Sequence, residues 1–161
     1  MNCLITAAST AWAYKVRKLL KNTGKTYFGD CYALPGISSP DVQFITLPKA
    51  GSEAFAHNLL TLCLDLEITC VYPLREEELV PLAESALLFS EFGITVCVPG
   101  KEELKDYDIT TSGNIVIVEN GNITTPDGEK YSHIPLGNNG IFAVTDAHHV
   151  TIFALPHADL R

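Results

Sequence analysis

The first 99 residues alternate between strand-like and helix-like segments, and this alternation constrains the fold more than any other feature. Five short apolar runs are typical of buried parallel strands: Asn2–Thr6, Lys25–Cys31, Val42–Leu47, Thr69–Tyr72 and Ile94–Val98. Segments with apolar residues at helical spacing lie between them: Ala11–Lys21, a segment that begins at Ser52, and Glu76–Phe92. Strands that alternate with helices imply parallel pairing with right-handed crossovers. The sequence therefore predicts an α/β fold, a Rossmann-like parallel sheet of about five strands with helices on both faces.

The pattern changes after Pro99 and Gly100. Helical spacing disappears from Asn114 onward, and Asn120-Gly121 is a strong hairpin signal. The strand-like runs in this part are Asn114–Val118, Ile123–Thr125, Lys130–Ile134, Gly140–Thr145 and His149–Leu155. We predict a Rossmann-like domain over residues 1–100 and a small antiparallel β appendage over residues 101–161. Because so few residues cannot bury a core of their own, the appendage should pack on the first domain or on a second chain.

Composition and charge exclude several classes of protein. The chain is 47% apolar and 19% charged, so it can bury a core and is not intrinsically disordered. Its net charge of −8 argues against nucleic acid and anionic membranes as partners, because both require a basic surface. No apolar run approaches the roughly 20 residues that span a bilayer, and no basic region precedes the first apolar run as in a signal peptide. These features favour a cytoplasmic protein.

The basic residues of the N-terminal part form a cluster. Residues 1–29 contain five basic side chains and no acidic one: Lys15, Arg17, Lys18, Lys21 and Lys25. Most of them fall on the first predicted helix. We interpret the cluster as the solvated face of that helix, with a surface for an anion or an acidic partner as the alternative.

Cysteine and histidine residues predict no metal site and no catalytic thiol. The five cysteines are odd in number, lack a CxxC motif and mostly lie in apolar runs, which indicates reduced core thiols. Near the C-terminal end of the sequence, the late histidines and two aspartates could bind a metal: His133, His148, His149 and His157, together with Asp146 and Asp159. Their spacing matches no standard zinc pattern, so we predict surface or interface histidines.

The turn after the first strand argues against a nucleotide cofactor. It reads Thr6-Ala7-Ala8-Ser9-Thr10-Ala11 and lacks the glycines through which a dinucleotide site brings pyrophosphate to bare backbone. A P-loop motif is also absent from the sequence. We therefore predict no cofactor, although the N–H groups and the hydroxyls of Ser9 and Thr10 could meet another ligand. Asp30 ends the second strand, where Rossmann-like proteins often place an acid that contacts a ligand hydroxyl; an ordinary turn aspartate is the alternative.

The order of segments in residues 1–100 carries a family resemblance. A small-residue turn follows the first strand, the second strand ends in Asp30, and CVYPLREEEL then leads into PLAESALLFSEFGITVCVPG. This order resembles the N-terminal pre-ATP-grasp domain of carbamoyl-phosphate-synthase-like ATP-grasp enzymes. In that family a strand ends in proline, an acidic EEL opens the next helix, and a GI-V-VP strand closes the unit. The corresponding features here are Pro73, residues 77–79 and residues 93–99.

The resemblance implies a domain that packs beside ATP-binding domains and helps to shape the site of the non-nucleotide substrate. Carried over by position, the candidate ligand-facing residues are Ala8, Ser9, Thr10, Asp30, Pro73, Arg75 and Glu78. The chain departs from the family after residue 100, where two ATP-grasp domains would follow, and the family's glycine-rich turn is reduced to alanines and serine. Because no segment supplies the groups that hold Mg-ATP, ligase activity by this chain alone is not expected.

Together these observations predict a stand-alone pre-ATP-grasp-like domain that is not catalytic by itself. It would bind a small metabolite or serve as an accessory subunit to a separate ATP-grasp protein. The alternative is a small acid/base enzyme at the C-terminal ends of the parallel strands, with Asp30, Glu78 or a late histidine as acid or base. A homodimer through the β appendage is a further prediction, because exposed strand edges require cover.

Overall fold

The first sheet of the molecule has five parallel strands. The computed structural model of the chain describes residues 1–21, 24–36, 38–146 and 148–156. Its first five strands are β1 (Asn2–Ile5), β2 (Thr26–Asp30), β3 (Val42–Thr46), β4 (Ile68–Tyr72) and β5 (Thr95–Val96). They lie in the order β3-β2-β1-β4-β5, all parallel, which is the order of a Rossmann sheet. The predicted five-stranded parallel sheet is confirmed.

Helices cover both faces of this sheet. They are α1 (Ala11–Leu19), α2 (Phe55–Asp65) and α3 (Glu76–Glu91). Alternate residues of β1 point to opposite faces, so Cys3 and Ile5 pack in the cluster that contains α1, whereas Leu4 packs with α2 and α3. The second helix begins at Phe55 and not at Ser52, because the Ser52 hydroxyl accepts the Ala54 N–H in a turn that precedes it. None of the described helices combines the length and the apolar character that a membrane span requires.

A second five-stranded sheet follows the short helix α4 (Lys101–Leu104). Its strands are β6 (Ile109–Thr110), β7 (Asn114–Glu119), β8 (Asn122–Ile123), β9 (Gly140–Val144) and β10 (Val150–Phe153), in the order β6-β10-β9-β7-β8. Three of the pairings are antiparallel, but β6 runs parallel to β10. The predicted antiparallel appendage is therefore confirmed for three of its four strand pairings and wrong for the edge strand β6. The chain between β6 and β10 is long enough for the crossover that parallel strands require.

The predicted strand Lys130–Ile134 is also wrong. Gly128–Tyr131 forms a 3₁₀ helix instead, and the left-handed backbone of Asp127 starts it, with φ of 58°. The Ser132 and Ile134 N–H groups then bond to Glu129 and Tyr131 within the same turn. These local hydrogen bonds replace the ladder that a strand would need.

The second sheet packs on the first and shares its core. Ile117, Ile141 and Phe153 lie in one apolar cluster with β1 and α1, and the rings of Phe153 and Trp12 are 4.7 Å apart. Residues of the opposite parity, such as Val116, face a smaller cluster on the other side of the sheet. Because both faces of this sheet are covered, β7 and β9 are almost continuous apolar runs.

Candidate functional site

Four of the seven candidate ligand-facing residues meet at the carboxyl ends of the parallel strands. Asp30 ends β2, and Arg75 and Glu78 lie at the start of α3, after β4. Arg75 holds Asp30 with two hydrogen bonds, Nε to Oδ1 at 3.1 Å and Nη2 to Oδ2 at 2.8 Å. The two residues are only 3% and 1% exposed. The two strand ends are therefore joined by a buried, bidentate ion pair.

Ser9 completes the contacts of Asp30. Its backbone N–H and its hydroxyl both donate to Oδ2, at 3.0 and 2.7 Å, and Arg75 Nη2 lies 3.1 Å from the same hydroxyl oxygen. The Cys31 N–H donates to Oδ1 at 2.9 Å, and the guanidinium lies over the Tyr32 ring at 4.8 Å. Burial by itself would raise the pKa of Asp30, but the hydrogen bonds from Arg75 and Ser9 outweigh it and hold the pKa below its usual value. Asp30 is thus an ionised carboxylate fixed by five donors.

Glu78 occupies the next position along the same edge. Its Oε1 accepts the Thr6 hydroxyl at 2.6 Å and the Arg75 backbone N–H at 3.1 Å, the second contact being half of a capping box. The Thr6 hydroxyl oxygen in turn accepts the Leu74 N–H at 2.8 Å. Burial raises the pKa of Glu78 to about 7, although these hydrogen bonds and the Arg75 charge oppose the rise. We refer to Thr6, Ser9, Asp30, Arg75 and Glu78 as the strand-end network.

The other three candidate residues lie beside this network without joining it. The Ala8 N–H bonds to the Gly29 carbonyl at 3.1 Å, and the Thr10 hydroxyl bonds to the Ala7 carbonyl at 2.7 Å. Pro73 is buried where β4 ends. These contacts shape the first turn and the entry to α3, and ligand binding by any of the seven residues stays a prediction.

The end of the second sheet closes over the loop that carries Arg75. Beyond β10, the Leu155 N–H donates to the Leu74 carbonyl at 2.7 Å, and the Glu76 N–H donates to the Leu155 carbonyl at 2.9 Å. Residues 155 and 75 form a parallel bridge there. Both sheets therefore hold the backbone on which Arg75 stands.

A second polar cluster lies between the two sheets, and the sequence analysis missed it. Cys70 Sγ lies 3.8 Å from Cys97 Sγ, and the two sulfurs lie 3.3 and 3.7 Å from Oε1 of Glu119. The Tyr72 hydroxyl donates to the same carboxylate oxygen. We call these four residues the thiol cluster. The spacing of Cys70 and Tyr72 puts both on one face of β4, which the sequence does indicate, but the approach of Glu119 depends on how the sheets pack.

Burial and the neighbouring groups raise the pKa of two members of the thiol cluster, Cys97 and Tyr72. Burial raises the pKa of Cys97 well above its usual value, and the Cys70 thiol and the Glu119 charge raise it further. The pKa of Tyr72 is raised by the same burial and neighbours. None of the five cysteines forms a disulfide; Cys3, Cys63 and Cys97 are buried, as the sequence predicts, whereas Cys31 and Cys70 are half-buried.

An apolar groove of about 560 Å³ lies between α3, α4 and β6. Leu79, Val80, Leu104 and Ile109 line it, and charges of both signs surround them. Further along α3, the side chains of Leu87, Leu88 and Phe92 are also exposed. This groove and the apolar side chains of α3 beyond it form the α3 surface.

The late histidines that the structure describes are all exposed. The rings of His133 and His148 are 5.1 Å apart in an edge-on contact, and His149 is exposed as well. His157 and Asp159 lie outside the described residues.

No family model and no curated protein matches this chain. The resemblance of residues 1–100 to pre-ATP-grasp domains therefore stays a prediction from the order of motifs in the sequence.

Proposed function

We propose that the chain is a pre-ATP-grasp-type accessory subunit that is not catalytic by itself and acts by binding a separate ATP-grasp protein. The closure of the strand-end network carries this proposal. The edge at which open α/β sheets bind their ligands is here filled by side chains that bind one another. The charged and titratable side chains that a site at this edge would use are Asp30, Arg75 and Glu78. All three already hydrogen-bond to other residues of the fold.

The α3 surface supports protein binding as the remaining activity. Val80 is 50% exposed and Leu87 is 75% exposed, although both belong to a helix whose other side is buried. Exposed apolar side chains that adjoin an apolar groove are typical of protein interaction sites. The resemblance supplies the partner, because pre-ATP-grasp domains pack beside ATP-grasp domains.

The alternative of a small acid/base enzyme rests on Glu78. A carboxyl with a pKa of about 7 suits general acid/base catalysis. Glu78 is 5% exposed, however, and its Oε1 already accepts two hydrogen bonds. A substrate would have to break the network to reach it, so we prefer the accessory role.

Affinity capture with matched baits tests the accessory role. We expect wild-type bait to enrich a protein with ATP-grasp domains from cells of the source organism, identified by mass spectrometry. Val80→Glu should lower that enrichment by about tenfold or more, because it places a charge in an apolar contact. Leu64→Glu on α2 is the control, since Leu64 is 44% exposed outside the α3 surface. If no ATP-grasp protein is enriched on the wild-type bait, the accessory function is wrong; if all three baits enrich it equally, the partner binds elsewhere.

Thermal unfolding with a panel of small molecules tests the predicted metabolite role separately. The panel holds Mg-ATP, ADP, NAD, bicarbonate, amino acids and small carboxylates. A ligand at 100 times its Kd would raise the Tm of a domain of this size by about 5–10 °C. Because the strand-end network is closed, we expect no such shift. A shift from an amino acid or carboxylate that Ser9→Ala abolishes would instead establish a metabolite site at the strand ends.

A further inference from the structure

We propose that Cys70, Cys97 and Glu119 form a binding site for one Zn²⁺ ion at the junction of the two sheets. The sequence predicts no metal site, because its cysteines lack a CxxC motif and its late histidines match no zinc spacing. Cys70, Cys97 and Glu119 lie on three different strands or strand ends. The proposal rests on the positions of the side chains and is independent of the proposed accessory function.

The distances within the thiol cluster match a tetrahedral zinc site. With Zn–S bonds of about 2.3 Å and Zn–O bonds of about 2.0 Å, tetrahedral angles place two sulfur ligands about 3.8 Å apart and a sulfur and an oxygen about 3.5 Å apart. The corresponding distances are 3.8 Å between Cys70 and Cys97, and 3.3 and 3.7 Å from these sulfurs to Glu119. Three ligand atoms therefore already form one face of the tetrahedron.

The ligand set favours zinc over other common cations. Thiolates are soft ligands that select zinc over Mg²⁺ and Ca²⁺, and one carboxylate is a regular third zinc ligand. Two thiolates and one carboxylate carry three negative charges, which a divalent ion reduces to one. On binding, each thiol loses its proton to water, so two protons are released for each ion bound.

The surroundings of the cluster provide a second shell and an entry path. The Tyr72 hydroxyl donates to Glu119 and thereby orients the carboxylate, as outer-shell partners of metal ligands do. Cys70, Tyr72 and Glu119 line a cleft of about 150 Å³ that also reaches Asn2 and Lys21. Three protein ligands leave the fourth position of the ion open. That arrangement is found where zinc also binds water or a small ligand.

Metal titration of the reduced, chelator-treated protein tests the site. We expect one Zn²⁺ per chain by elemental analysis, and Co²⁺ in its place should give thiolate charge-transfer bands with strong visible bands of tetrahedral coordination. Cys70→Ala or Cys97→Ala should weaken binding by more than the 10–100-fold that loss of an outer-shell partner causes. Tyr72→Phe should fall within that range. Cys63→Ala is the matched control for Cys97→Ala, because Cys63 is equally buried and lies on α2.

The cobalt spectrum distinguishes this site from the surface histidines. The rings of His133 and His148 lie 5.1 Å apart at the surface, so a His133→Ala variant is titrated in parallel and should retain the charge-transfer bands. The proposal fails if the wild-type protein binds no Zn²⁺. It also fails if binding persists unchanged in both Cys70→Ala and Cys97→Ala. Circular dichroism of each metal-free variant separates loss of a ligand from loss of the fold.

Discussion

Arg75→Met is expected to lower the free energy of unfolding by about 3–5 kcal/mol, the usual cost of leaving one member of a buried ion pair alone. Asp30 would keep the donors of Ser9 and Cys31 but lose both hydrogen bonds from the guanidinium. The carboxylate would remain in a site that is 1% exposed. Because a domain of this kind has a total stability of only about 5–15 kcal/mol, urea denaturation should show a much lower midpoint.

A second variant keeps this prediction testable if Arg75→Met does not fold. Asp30→Asn combined with Arg75→Met removes both charges, so the double variant should be more stable than Arg75→Met and should fold even where that single variant does not. Lys105→Met is the exposed control, since Lys105 forms its ion pair with exposed Glu102 and its loss should change stability by less than about 1 kcal/mol. A loss below about 1 kcal/mol in Arg75→Met would show that the ion pair contributes little to the fold.

The pH dependence of stability should report on Glu78. Its pKa rises from 4.5 to about 7 on folding, so the folded state binds more protons than the unfolded state between these values. The contribution of Glu78 to the free energy of unfolding is therefore fully present below about pH 4.5. It is lost as the pH rises through 7, and the loss is roughly 3 kcal/mol in all. The lowered pKa of Asp30 acts only below its ordinary value of 3.8, outside this window. Glu78→Gln keeps an acceptor for Thr6 and should remove the fall, which makes it more stable than the wild type at pH 8.

Urea midpoints from pH 4.5 to 8 measure this difference. Glu84→Gln is the matched control, because Glu84 lies on the same helix with its side chain 47% exposed. It should keep the pH profile of the wild type. A Glu78→Gln profile parallel to the wild-type profile would mean that Glu78 is ionised throughout this range and that its burial costs less than we infer.

The position of the strand-end network could be predicted from the sequence, but its chemistry could not. Asp30 and Arg75 each follow a buried strand, and parallel strands bring such residues to one edge. The sequence around Arg75 does not indicate that its side chain points inward to Asp30, because that direction depends on the path of the chain between β4 and α3. The sequence places Thr6 in the turn after the first strand and gives no sign of its contact with Glu78, which depends on tertiary packing.

The strands of the second sheet could also be predicted from the sequence, but not all of their pairings. Its apolar runs predict most of the strands, since period and length suffice for that. The parallel partner of β6 and the 3₁₀ helix at Gly128–Tyr131 depend on neighbours that are distant in sequence or on one left-handed residue, Asp127. The thiol cluster could not be predicted from the sequence, because Glu119 contacts Cys70 and Cys97 only once the two sheets have packed together.

The contact of Leu155 with the loop that carries Arg75 has a consequence for the order in which the molecule assembles. The partners are separated by the whole of the second sheet in sequence, so their contact closes a very long loop. The entropy of closing such a loop delays contacts of this kind relative to local ones. During synthesis the ribosome releases Asp30 and Arg75 long before Leu155. The loop that carries Arg75 therefore gains the backbone hydrogen bonds of Leu155 only when nearly all of the described chain is available to fold.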